Sequence, residues 1–109
     1  MTVSIRESGT VQVVDVEGDV DLGTSPNLRK TLFDLLGKTP KLALNMRGLR
    51  YIDSSGIATL IEVLKSAQRV PMEFVLFGLS PRVEDAFRLT HVNRIFRIVE
   101  TEEQALTLV

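Results

Sequence analysis

Four consecutive residues, Asp53-Ser54-Ser55-Gly56, carry the chemistry that stands out in this chain. Aspartate and serine are preferred at helix N-caps, because their oxygens accept hydrogen bonds from backbone N–H groups that have no partner inside the helix. One capping residue would be enough for that role, and here three small polar residues run together. A serine at a helix N-terminus is also a good place for a phosphate, since the free N–H groups and the helix dipole both favour an anion. Asp53 acts in the opposite sense and repels added negative charge. A modifiable serine beside a fixed carboxylate therefore suits a switch that remodels a surface without unfolding the domain. Both readings, cap and switch, apply to the same four residues.

Enzymatic chemistry has little to draw on. Cysteine is absent and His91 is the single histidine, so thiolate nucleophiles and thiolate metal sites are excluded. A Ser-His-Asp triad can be written from Ser54, His91 and Asp53, but no Gly-x-Ser-x-Gly turn presents the serine. His91 follows a helical segment and reads as a loop or C-cap residue. No cluster of histidines and carboxylates has the spacing of a metal site, and Gly18 and Gly23 do not form a phosphate-binding loop. The chain is expected to be no enzyme and to use neither cofactor nor metal.

The elements that must position these residues alternate between strand and helix. Val3-Ser4-Ile5 and Val11 to Val16 alternate with period two around Ser8-Gly9-Thr10, which predicts a hairpin. Gly18 to Gly23 reads as a polar loop. Ser25 and Pro26 then open a helix carrying Leu28, Leu32, Leu35 and Leu36, with Gly37 ending it. Lys41 to Met46 is a short strand, and Arg47 to Tyr51 a connection to the second helix. In that helix Ile57, Leu60, Ile61 and Leu64 form one apolar stripe, and Pro71 stops it. Glu73 to Leu79 is a nearly continuous apolar strand, the pattern of a strand covered on both faces. Ser80-Pro81 opens a third helix through Val83, Ala86 and Phe87. Ile95 to Val99 is the last strand, and Thr101 with Gln104 forms a capping box for a final helix bearing Ala105 and Leu108. The order β-β-α-β-α-β-α-β-α predicts an α/β fold, a mixed sheet of about five strands with about four helices.

Composition sets the class. The 109 residues make one domain, 1–109, large enough to bury a core without disulfides. Thirteen basic and fourteen acidic residues leave a formal net charge of -1, which argues against direct nucleic-acid binding. The N-terminal segment has no cationic and apolar signal pattern, and no apolar run reaches the roughly 20 residues that span a bilayer. A cytoplasmic location without membrane insertion is expected.

Three segments make the sequence resemble the STAS domain family (sulfate transporter and anti-sigma-factor antagonist), most closely its free-standing bacterial anti-sigma-factor antagonists. Gly18-Asp19-Val20-Asp21 is similar to the family's loop after the second strand. Leu49 to Gly56 is similar to its signature segment, and Leu79-Ser80-Pro81-Arg82-Val83 to its strand-to-helix turn. The resemblance implies a STAS-like fold and a partner-switching role in transcription regulation. The unphosphorylated protein would bind an anti-sigma factor that is a serine kinase and so release a sigma factor. Phosphorylation would loosen the complex and a serine phosphatase would reset it. The implied phosphoacceptor is Ser54, with Ser55 less favoured, and Asp21 matches a loop aspartate near the switch serine. The implied partner surface comprises Asp21, Asp53, Ser54, Ser55, Gly56, Ala58, Thr59 and Glu62. Ile57-Ala58 stands where the family commonly has Leu-Gly, which bears on partner identity. A second role found in the family is an accessory subunit of an ABC-type lipid transporter, binding the permease. The outward face of the second helix, taken as Ala58, Thr59, Glu62 and Ser66, would serve that role as well.

Overall fold

The computed structural model describes residues 1–107; Leu108, read above as part of the last helix, lies outside the described residues. Strands β1 (Thr2–Ser8) and β2 (Val11–Val20) pair antiparallel, with Ser8 opposite Val11. The connecting loop is thus Gly9-Thr10, and Gly9 takes φ 62°. Positive φ at the first position of a two-residue loop matches the twist of the strands, and glycine adopts it without a Cβ clash. Then follow α1 (Ser25–Asp34), β3 (Lys41–Ile52), α2 (Ser54–Arg69), β4 (Glu73–Phe77), α3 (Pro81–Leu89), β5 (Arg97–Val99) and α4 (Glu102–Thr107). The element order is the expected one.

The five strands lie in chain order, β1-β2-β3-β4-β5, and every pair after the first is parallel. When neighbouring parallel strands are joined in sequence, crossovers of one hand put all connecting helices on one face. Helices α1, α2 and α3 do pack together there, over Val14, Val16, Leu42, Leu44, Met46, Phe74 and Leu76. The opposite face is smaller: Val11, Val13, Ala43, Val75 and Phe77 meet Ala105 of α4. Being covered on both sides, β4 is apolar at every position from Phe74 to Phe77. The Phe96 ring closes the main core, edge-on to Phe87 at 5.5 Å and to Phe74 at 6.5 Å.

Several boundaries move. Gly18, Asp19 and Val20 belong to β2 rather than to a loop, and Arg47 to Ile52 continue β3 rather than connecting it to α2. Two register shifts in the β2–β3 ladder, after Asp15 and after Gly18, absorb the irregular sequence and carry the pairing to Val20 opposite Ile52. Strand β4 stops at Phe77 opposite Asn45, so the upper part of β3 has a partner on one side only. That explains its polar residues, which read as a connection. The last strand begins at Arg97, because Ile95 and Phe96 turn out of the sheet, Phe96 into the core. The N-cap of α1 is Thr24 rather than Ser25, with Ser25 buried in the first turn. Ser80 caps α3 as expected, accepting from the Val83 N–H at 3.3 Å. The Thr101–Gln104 capping box is also formed: Thr101 Oγ1 accepts from the Gln104 N–H, and Gln104 Oε1 from the Thr101 N–H.

A charged cluster fastens the hairpin to α4. Arg6 donates to both oxygens of Asp15, at 2.6 and 2.9 Å, and to Glu102 at 2.7 Å. Asn45 donates to the same Asp15 carboxylate at 2.7 Å. The Arg6 guanidinium, and then Asn45, hold the Asp15 carboxyl below the usual aspartate range, against burial that pushes it up. Arg6 lowers Glu102 likewise. A carboxylate with a depressed folded-state pKa stabilises the protein above its unfolded pKa, and that contribution is lost as pH falls through the folded value. Stability is therefore expected to drop below about pH 4, and Asp15→Asn to flatten this acid limb in denaturant titrations across pH.

The stripe on α2 is centred one position away from the expected one. Gly56, Ile57, Thr59, Leu60, Val63 and Ala67 are buried, whereas Ile61 and Leu64 are half-buried. Leu60→Ala is expected to cost about 2–5 kcal/mol in chemical denaturation, from lost burial and the cavity left behind. Leu64→Ala is expected to cost clearly less. Equal losses at the two positions would contradict this face assignment.

Candidate functional site

The paired ends of β2 and β3 carry the site. The Asp53 N–H donates to the Val20 carbonyl at 3.1 Å, extending the ladder by one bond beyond the strands. Asp53 then caps α2 with extended backbone, φ -104° and ψ -173°. Its Oδ1 accepts from the N–H groups of Ser55 at 3.0 Å and Gly56 at 3.2 Å, and from the Ser55 hydroxyl at 2.6 Å. The Ser55 hydroxyl, then burial acting against it, then the N–H groups of Gly56, Ser55 and Leu22 decide the balance, and the Asp53 carboxyl sits below the usual aspartate range. A carboxylate so stabilised as an anion is a weak base near neutral pH, which argues against a proton-abstracting role.

The two serines differ. The Ser55 hydroxyl is half-buried and committed to Asp53. The Ser54 side chain is exposed, and among the described residues its hydroxyl has no hydrogen-bond partner. It occupies the first residue of α2, where backbone N–H groups have no intrahelical partner. Gly56 packs onto the strand ends: a Cβ there would stand 2.6 Å from Ile52 Cγ1 and 2.8 Å from Val20 Cγ1. Both of those side chains are buried, so glycine lets α2 start directly above the sheet.

Asp21 lies in the loop between β2 and α1. Its Oδ1 accepts from the N–H groups of Gly23 at 3.0 Å and Thr24 at 3.1 Å, and its carbonyl accepts from Thr24 and Ser25. The Thr24 hydroxyl bridges the loop to the Asp19 carbonyl at 2.9 Å. The Asp21 carboxylate thus shapes the loop, and the loop's Leu22 N–H adds a small contribution to stabilising the Asp53 anion. Leu22 itself is 78% exposed. Sequence reasoning passed over Leu22 and Thr24. An isolated leucine between Asp21 and Gly23 was the available signal for an exposed apolar contact.

Ala58 and Glu62 are exposed on α2 as expected, and Glu62 accepts from Arg29 of α1 at 3.0 Å. Thr59 is not on this face. It is 6% exposed, because α2 packs against α1 as well as the sheet and its buried arc is wider than the apolar stripe implied. Ser66 is half-buried for the same reason. His91 sits in the turn after α3 with φ 59°, exposed and away from Ser54's helix terminus in the chain. Among the described residues no group of histidines and carboxylates could hold a metal ion, and no helix is long and apolar enough to cross a membrane.

Comparison with known proteins agrees with this architecture. The family model described as "STAS domain" matches residues 2–105. The anti-sigma-B factor antagonist of Listeria monocytogenes is 29% identical over 104 residues, 94% of this chain and 91% of that protein. A crystal structure of an anti-sigma factor antagonist from Mycobacterium paratuberculosis superposes with a TM-score of 0.87 at 22% identity, covering 99% of this chain and 92% of the other. SpoIIAA, a Bacillus cell fate determinant solved in its phosphorylated form, superposes with a TM-score of 0.73 at 18% identity, covering 96% of each chain. With the motif, the strand order and the fold in agreement, the chain belongs to the STAS domain family.

Proposed function

We propose that this protein is an anti-sigma factor antagonist gated by phosphorylation of Ser54. Unphosphorylated, it binds an anti-sigma factor that is also a serine kinase, and a sigma factor is released for transcription. The kinase transfers the γ-phosphoryl group of ATP to the Ser54 oxygen, the hydroxyl proton leaves, and ADP departs; a serine phosphatase hydrolyses the ester and resets the protein. The observation that carries this reading is the contrast between two adjacent hydroxyls. Ser54 is exposed and without a partner among the described residues, whereas Ser55 is held by Asp53 at 2.6 Å. A kinase reaches the first without breaking a hydrogen bond and the second only by breaking the one to the capping carboxylate of Asp53. The names of the curated relatives and the phosphorylated state in which SpoIIAA was solved support the same reading.

The partner surface is centred on Ser54, with Asp53, Ser55 and the Asp21 loop around it and Ala58 and Glu62 beside it on α2; Gly56, expected on this surface, is buried against the strand ends and supports it from below. Phosphorylation adds about -1.5 to -2 charges next to the Asp53 carboxylate. Two unit charges about 7 Å apart at an effective dielectric of about 20 repel by roughly 2 kcal/mol. Burying the phosphate at an interface shaped for a neutral hydroxyl adds to that cost. The fold is expected to tolerate the same charge, because the N-terminus of α2 favours an anion.

The test uses the purified anti-sigma factors of the source organism, one at a time, in calorimetric titrations. One of them is expected to bind the unphosphorylated protein, and Ser54→Asp to weaken that complex at least about tenfold. Ser54→Ala is expected to bind and to resist phosphorylation with ATP, read by phosphopeptide mapping. Phosphate on Ser55 alone would move the acceptor by one residue. Binding of a transporter permease with no anti-sigma factor retained would overturn the reading. Ala58→Arg is expected to weaken binding with the thermal midpoint unchanged within a few degrees. His91→Asn is expected to leave affinity within about threefold, and a larger loss would bring an enzymatic role back into consideration.

A further inference from the structure

Two shallow cavities meet beside the switch motif. One, of about 260 Å³, lies between the end of β3 and α3 and is walled by Tyr51, Ile52, Arg82, Asp85 and Leu89 among others. The other, of about 280 Å³, is walled by Asp19, Arg50, Tyr51 and Arg82. Because Tyr51 and Arg82 line both, a single groove runs from Asp19 to Leu89. Ile52, in the groove wall, also packs against Gly56, so the groove and the motif share one buried residue.

The two ends of the groove differ in chemistry. Leu89 is 79% exposed and Tyr51 41%, which leaves apolar surface uncovered at one end. At the other, Arg50 is answered by Asp19 at 3.3 Å. The Arg82 guanidinium lies 5.8 Å from the centre of the Tyr51 ring and has no ion pair among the described residues. Guanidinium stacked on an aromatic ring keeps its planar set of donors for a carboxylate. Arg82 and Leu89 are seven residues apart on α3, two helical turns, and share one face of it. The groove therefore offers a cation and an apolar seat roughly 10 Å apart. Tyrosine and arginine are also the residue types that most often dominate binding energy at protein interfaces.

We propose that this groove is a second contact for the anti-sigma factor, receiving a segment that places a carboxylate on Arg82 and an apolar side chain between Tyr51 and Leu89. The proposal rests on the function proposed above and adds to it a partner determinant outside the phosphorylated motif. Charge complementarity selects the occupant: of the charged residues lining the groove, Asp85 is paired with Arg88 and Asp19 with Arg50, which leaves Arg82 as the unanswered charge and favours an acidic, partly apolar segment over a basic one. The contact borders Ser54 without including it, so partner recognition and its phosphorylation are set by different residues of one surface.

The experiment titrates Arg82→Glu and Leu89→Ser separately against the anti-sigma factor that binds the wild-type protein. Both side chains are exposed, and a carboxylate in the first turn of α3 suits the helix dipole, so both variants are expected to fold. Each is expected to bind at least about tenfold more weakly, with the thermal midpoint within a few degrees of wild type. Binding within about twofold for both, with Ser54→Asp still impaired, would overturn the groove while leaving the switch standing. Failure of the wild-type protein to bind any anti-sigma factor would overturn both. A wild-type dimer in analytical ultracentrifugation that Leu89→Ser abolishes would assign the groove to a second copy of this chain and overturn the proposal.

Discussion

Pairing of β2 with β3 continues past the point where β4 ends, and the candidate site is built on that extension. Strand β4 leaves β3 at Asn45, yet β2 stays with β3 for seven further residues, to Ile52 opposite Val20. Two chain segments that are more than thirty residues apart in sequence therefore arrive at one place in register. The last bond of the ladder, Asp53 N–H to the Val20 carbonyl, sets where α2 begins. The loop that follows β2 then has to leave beside the start of α2, with Val20 and Asp53 joined across the strand ends. Gly56 completes the constraint, since any side chain there would collide with Ile52 and Val20 and lift the helix off the strands. The position of Ser54 is fixed by backbone and core contacts, not by its own side chain.

That division of labour explains why adjacent residues of one motif act differently. Asp53 spends its acceptor capacity on N–H groups and on the Ser55 hydroxyl, and is held as an anion by them. Ser55 is thereby part of the cap. Ser54 is the one hydroxyl of the motif that the cap does not use, so its chemistry can change while the cap remains. A residue needed for capping could not also be modified freely without weakening the helix start. The motif separates the two tasks by a single position.

The order of elements, the sheet class, the apolar character of β4 and both proline-bearing helix starts were legible in the sequence, because each rests on local pattern. The motif and its helix terminus were legible for the same reason. What escaped rests on contacts made across the fold. Arg47 to Tyr51 looked like a connection because the upper part of β3 is exposed beyond β4, and the register shifts that keep it paired leave no local mark. Thr59 looked outward because an apolar stripe predicts one buried direction, while α1 supplies a second. Leu22 and the groove between Tyr51 and Leu89 escaped because a single exposed apolar residue has no periodicity to reveal it.

Under the proposed function, a phosphate on Ser54 would have different consequences for the fold and for an interface. In the folded chain the added charge would sit in water at a helix N-terminus, where the helix dipole would offset part of its repulsion from Asp53. Screening by solvent weakens what repulsion remains. At an interface the water is gone, the same charges interact through a lower effective dielectric, and the phosphate must lose hydration that no fixed cation of this motif replaces. The energetic penalty would therefore fall on the complex and largely spare the domain. The charge that makes this work is that of Asp53, kept ionised by the hydrogen bonds that build the cap. The interaction that starts the helix is thus also the one that would give the proposed modification at Ser54 its effect on binding.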